Sequence, residues 1–145
     1  FSGNRGYMDG GAVYNNEGEL NIQLSADDSN IFVGNMAGND ISGLASSGRG
    51  GVIYNTGIMT IQNAAVVEKG KTLNDRLFVS NTATGSNGMG GAIYNAAGGK
   101  IGNITGDFIN NFAKFNGGAI NIVEGTANIK TSAEKQNIIF KKNIR

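Results

Sequence analysis

Eleven carboxylates are spread along this 145-residue chain, with no histidine and no cysteine to work beside them. Carboxylates on their own do chemistry in sets: an acid and a base flanking a glycosidic bond, or several oxygens gathered on a calcium ion. The acids are Asp9, Glu17, Glu19, Asp27, Asp28, Asp40, Glu68, Asp75, Asp107, Glu124 and Glu134, and only Asp27 and Asp28 are adjacent. Those two stand in a Ser/Asn-rich turn, Asp27-Asp28-Ser29-Asn30, which lacks the spacing of a calcium loop and reads as solvated. Without His there is no imidazole for a Ser-His-Asp triad or for proton transfer near neutrality, and without Cys no thiolate nucleophile or metal ligand. No catalytic residue, metal site or cofactor is implied.

The other residues able to engage a ligand are three tyrosines, Tyr14, Tyr54 and Tyr94, each three residues beyond a Gly-Gly pair. Rings aligned on a rigid outward face can stack on sugars or anchor a protein partner. The competing reading is that they stack on each other or lie under neighbouring loops. Which holds depends on the elements that carry them.

Those elements repeat. A Phe-x-x-Asn motif occurs five times, at Phe1–Asn4, Phe32–Asn35, Phe78–Asn81, Phe108–Asn111 and Phe140–Asn143. A Gly-Gly motif follows four of them: GGAVYN from Gly10, GGVIYN from Gly50, GGAIYN from Gly90 and GGAIN from Gly117. Next comes a glycine and an alternating apolar run, as in Gly18-Glu19-Leu20-Asn21-Ile22 and Gly57-Ile58-Met59-Thr60-Ile61. Period-two alternation is the mark of a half-buried strand, and one order of elements repeated along a chain means one unit stacked on its copies. Glu19 is an outward position in this run, and its slot in the other repeats holds Ile58, Lys100 and Thr126, so no acid pair forms there.

The expected fold is all-β: a right-handed parallel β-helix, or β-solenoid, of about four to five coils with three short strands per coil. Successive motif phenylalanines are 31, 46, 30 and 32 residues apart, so the second interval carries an extra loop. The longer spacers, Met36–Arg49 and Ala64–Leu77, are expected to bulge outward. Composition agrees: 24 Gly and 21 Asn suit corners and not long helices, while 39% hydrophobic residues still supply a core.

Equivalent residues of stacked strands lie about 4.8 Å apart. Phe1, Phe32, Phe78, Phe108 and Phe140 then form an interior aromatic stack, and Asn4, Asn35, Asn81, Asn111 and Asn143 an amide ladder at the corner. In the Gly-Gly strand, Val13, Ile53, Ile93 and Ile120 take the interior slot, which turns the tyrosines outward.

Phe-x-x-Asn followed by Gly-Gly-Ala-aliphatic resembles the repeat signature of the chlamydial polymorphic membrane proteins, which are autotransporters, and similar repeats of other bacterial surface β-helices. The likeness runs from Phe1 to Asn143, departing at Val52 and at Asn121-Ile122. It implies a passenger segment displayed on the bacterial surface (outer membrane) or secreted, acting in adhesion and virulence as a host-contact scaffold. The partner would be a host surface protein or glycan. Residues 1–145 read as a single solenoid segment, an excerpt of a longer protein, whose ends meet neighbouring coils or chains. Two alternatives stand beside it: a self-assembling extracellular filament or spacer, and a carbohydrate-active β-helix enzyme. A net charge of +1 gives no case for nucleic acid, and no run approaches the roughly 18 apolar residues of a membrane span.

Overall fold

The computed structural model describes residues 1–24, 31–38, 47–63, 76–129 and 139–145. Among them every named element is a strand, and the strands fall into four parallel sheets of four. The chain is a parallel β-solenoid, as its repeats predict. Each coil visits the sheets in turn. The Phe motif builds the first sheet from β4 (Phe32–Val33), β8 (Arg76–Val79), β12 (Asp107–Ile109) and β16 (Phe140–Lys141), to which Ser2 adds a bridge. Just past the asparagine, β1 (Arg5–Gly6), β5 (Met36–Ala37), β9 (Thr82–Ala83) and β13 (Phe112–Ala113) make the second. The Gly-Gly motif gives the third, with β2 (Val13–Asn15), β6 (Ile53–Asn55), β10 (Ile93–Asn95) and β14 (Ile120–Ile122). The alternating run gives the fourth, with β3 (Glu19–Leu24), β7 (Ile58–Asn63), β11 (Lys100–Ile104) and β15 (Ala127–Ile129).

The expectation of three strands per coil is therefore corrected to four. The second sheet escapes a periodicity reading because its strands are two residues long. The insertion limits also tighten. Met36–Ala37 belongs to β5 and Leu77 is buried inside β8; the rest of the two spacers at 39–46 and 64–75 lies outside the described residues, as does Asp27-Asp28.

Register is kept slot by slot: Phe32, Phe78, Phe108 and Phe140 pair in sequence, as do Val13, Ile53, Ile93 and Ile120. Rings one rung apart stack at 4.5–5.1 Å between centroids. Phe32, Phe78 and Phe108 are fully buried, together with Ile53, Ile93, Met59, Ile61 and Ile104. The end members Phe1 and Phe140 are 56% and 51% exposed, each with a neighbour on one face only. Register shifts twice: in β11, where Met59 pairs with Ile101 but Ile61 with Ile104, the extra residue is a bulge at Gly102-Asn103, and in β8, where Arg76 pairs with Asp107 but Phe78 with Phe108, the extra residue is Leu77.

The corner asparagines form the expected ladder with a definite bonding rule. The backbone N–H and Nδ2 of Asn35 both donate to Oδ1 of Asn81, at 2.9 and 3.0 Å. Asn81 does the same to Asn111, and Asn111 to Asn143. Each Nδ2 also reaches back to a phenylalanine carbonyl, as Asn81 does to Phe32 at 2.9 Å. The residue before each asparagine lies in the left-handed region: Gly3, Gly34, Ser80, Asn110 and Lys142 have φ between 51° and 66°. That single backbone state makes the corner. The paired glycines serve different ends. Gly50 has φ 67°, and a Cβ there would run into the Ile53 carbonyl, whereas a Cβ on Gly51 would strike the Gly91 carbonyl of the next rung.

Candidate functional site

The outer face of the third sheet carries the predicted tyrosine row, and the order of the row is as expected. Tyr14 stacks on Tyr54 at 4.8 Å and 9°, and Tyr54 on Tyr94 at 5.4 Å and 14°. Of the two readings of its openness, mutual stacking under cover holds for two of the three rings. Tyr14 is 55% exposed, but Tyr54 and Tyr94 are only 7% and 6% exposed and pack with Ala96 and Met89 in a small cluster separate from the main core. The row is outward yet covered at Tyr54 and Tyr94, the competing reading that the sequence left open. Tyr14 alone keeps an open ring. The fourth rung has Asn121 in the tyrosine slot and ends the row.

The cover comes from the position just before each Gly-Gly pair, held by Asp9, Arg49, Met89 and Asn116. Backbone bonds from Gly10, Gly50 and Gly90 to the carbonyls of Arg49, Met89 and Asn116 align this slot rung upon rung. The Arg49 guanidinium lies 4.8 Å from the Tyr54 ring centre and 5.2 Å from that of Tyr94. Cation–π attraction of this kind strengthens as the partners leave water. Arg49 also holds Asp9, its Nη2 on Oδ2 at 2.6 Å and its Nε on Oδ1 at 3.2 Å. Oδ1 accepts two further bonds, from the Ser47 hydroxyl at 2.6 Å and the Arg49 backbone N–H at 2.8 Å.

Burial would push the Asp9 carboxyl up, but the bonds from Arg49 and Ser47 outweigh it and hold it below the ordinary carboxylate range. The same pair raises Arg49, while burial raises the Tyr54 phenol. This is a clasp: the ionised carboxylate is held by four hydrogen bonds, three on Oδ1 and one on Oδ2. Asp9→Asn is expected to cost about 1.5–3 kcal/mol near neutrality, the range for hydrogen bonds to charged groups. Because the folded pKa is depressed, the deficit is full above the ordinary carboxylate range and closes as pH falls through the folded value. Chemical denaturation of both proteins along an acid series checks it; a deficit independent of pH would show that the ion pair is not its source.

A second amide ladder runs under the clasp and was not read from the sequence. Asn15 Nδ2 donates to Asn55 Oδ1 at 2.6 Å, and Asn55 Nδ2 to Asn95 Oδ1 at 2.7 Å. Each also donates to the carbonyl of the glycine that opens the next strand, Gly18, Gly57 or Gly99. The recurrent Tyr-Asn ending was its signal. These amides close the short corner between the third and fourth sheets, each Nδ2 donating to its own corner and to the next rung. Of the acids named from sequence, Glu17, Glu19 and Glu124 are exposed and apart, while Asp107 is buried and accepts from the Ile139 N–H at 2.8 Å. Among the described residues no group of three or more acids could hold a metal ion.

Among the described residues, Tyr14 is the member of the row whose ring is open. No protein-family model, curated protein or solved structure matches the chain.

Proposed function

We propose that this chain is a non-catalytic β-helix segment that holds contact sites for a host surface protein or glycan, displayed on a bacterial surface or secreted from it. One observation carries the reading: the repeated side chains of the described surface are used within the solenoid itself. Tyrosines are stacked and capped by Arg49, asparagines are laddered, and the buried acids are bonded. A surface engaged in this way supports what projects from it. The extra sequence of the 46-residue interval falls at 39–46, between Gly38 and Ser47, and at 64–75, between β7 and β8. Loops anchored on a rigid frame carry recognition without disturbing the stack. The motif resemblance to bacterial autotransporter repeats supports the cellular setting.

The test is binding of the folded chain to host cells and to a glycan array, compared with a variant in which both segments are replaced by short Gly-Asn links. Binding is expected to fall about tenfold or more with the links, and to persist in Tyr14→Ala. Loss in Tyr14→Ala with retention in the linked variant would move recognition to the strand face. Absence of binding by the intact folded chain would leave a spacer.

A further inference from the structure

We propose that the outer face of the fourth sheet binds a neutral, extended glycan laid along the solenoid axis, one sugar to a rung. The side chains that repeat along the described surface are engaged with one another; those of this face do not repeat and are not. Its central row is Asn21, Thr60, Asn103 and Asn128, one on each of β3, β7, β11 and β15. Beside it runs a second row with Gln23 and Gln62. Among the described residues no side-chain hydrogen bond engages any of these six, whereas the asparagines of both corner ladders are bonded to their neighbours. Asn21, Gln23 and Asn128 are exposed, and Thr60, Gln62 and Asn103 half-buried.

The backbone fixes the spacing of these groups. Parallel pairing sets the rungs about 4.8 Å apart, close to the length of one sugar in an extended chain. Alternate residues of a strand put the two rows about 6–7 Å apart, near the width of a sugar ring. The bulge adjusts the third rung. Gly102 takes the place beside Thr60, where a Cβ would sit 2.7 Å from Thr60 Oγ1, so the hydroxyl meets bare backbone on that side. The extra residue, Asn103, then carries the amide and pairs with Asn128.

The chemistry selects the occupant. Each amide offers donors and an acceptor, and the threonine hydroxyl both, which complements the hydroxyls of a sugar. The two rows carry no charge, and the row next to them sets Glu19 against Lys100, so nothing on the face draws an anionic polymer. Ile58, between those two, is 48% exposed and gives the C–H side of a sugar an apolar contact. A protein partner fits less well, because protein interfaces rest on aromatic or arginine anchors and this face has neither. The other faces differ: Val33, Val79 and Ile109 line the outside of the first sheet, and stacked tyrosines that of the third. The inference rests on the reading of the chain as a non-catalytic contact segment and names a glycan class for it.

Titration calorimetry of the chain against neutral β-linked oligosaccharides of two to six sugars (cello-, xylo-, manno- and N-acetyl-chito-series) tests the proposal. At least one series is expected to bind, with affinity rising as the oligosaccharide grows from two sugars to four. Thr60→Val combined with Asn103→Ala is expected to weaken that binding about tenfold or more, at an unchanged circular dichroism spectrum and melting temperature. Asn21→Ala, on an exposed slot, checks the same row should that pair disturb the strands, and is expected to weaken binding about fivefold. Oligogalacturonides of the same length are expected to bind at least about tenfold more weakly. Failure of every neutral series at millimolar concentration, equal affinity in the folded variants, or tighter binding of the oligogalacturonides would overturn it. The chain with Gly-Asn links at 39–46 and 64–75 is expected to keep this binding, and its loss there would overturn the sheet face as the site. Host-cell recognition in that same variant reports on the two segments, so failure of one reading is told from failure of the other.

Discussion

Phe78→Ala is expected to lower the unfolding free energy by about 3–5 kcal/mol, the range for truncating a buried phenylalanine. Phe78 is wholly buried between Phe32, 4.8 Å away, and Phe108, 4.5 Å away with the rings within 2° of parallel. Neither neighbour can close the gap, because the rung spacing is fixed by backbone bonds on both sides of the strand. The hole therefore persists, and two ring faces lose their contacts together. Phe140→Ala, at the half-exposed end of the same stack, is the control and is expected to cost far less. Equal shifts in a denaturant titration would show that the stack is not the core.

The second large effect is expected at Asn81. In Asn81→Ala the Asn35 backbone N–H and its Nδ2 both lose their acceptor, and the Phe32 carbonyl loses a donor. Each buried donor left unpaired costs about 1–3 kcal/mol, so two cost roughly 2–6 kcal/mol. Asn81→Asp separates hydrogen bonding from packing. An aspartate can still accept from Asn35, but its ionised form cannot donate to Asn111 Oδ1 or the Phe32 carbonyl. Burial among acceptors raises the folded pKa above the unfolded value. Stability is then greatest below the unfolded pKa and is lost as pH rises through the folded one. A variant that melts higher in acid than at neutral pH, against the trend of wild type, is the expected signature. Similar pH profiles for the two proteins would rule out the ladder as the source.

Much of this was legible because a solenoid sets the same slot of every coil side by side. Phe78 and Phe108 are 30 residues apart in sequence and in contact in space, so recurrence of a residue type was itself a contact prediction. The second-sheet strand of each coil escaped notice because its leading slot holds Arg5, Met36, Thr82 and Phe112, which share nothing. Only its second slot, Gly6, Ala37, Ala83 and Ala113, is uniformly small, a signal of close packing that was available. The tyrosines show a different limit. Alternation fixes which way a side chain points, not whether something lies over it. Arg49 and Asp9 cover that row from a slot with four different residues, Asp9, Arg49, Met89 and Asn116, where no pattern marks a partner.

Adjacent coils are joined by backbone bonds, amide ladders and ring stacks that cross from one rung to the next, along the long axis. A tensile force applied between the two ends therefore acts on every inter-rung junction in series, and each carries the full force. Yielding starts at the weakest junction and proceeds coil by coil. Each event releases 30–46 residues of contour, roughly 100–160 Å at the extension of a stretched chain. A molecule built this way dissipates work in steps while its remaining coils stay folded.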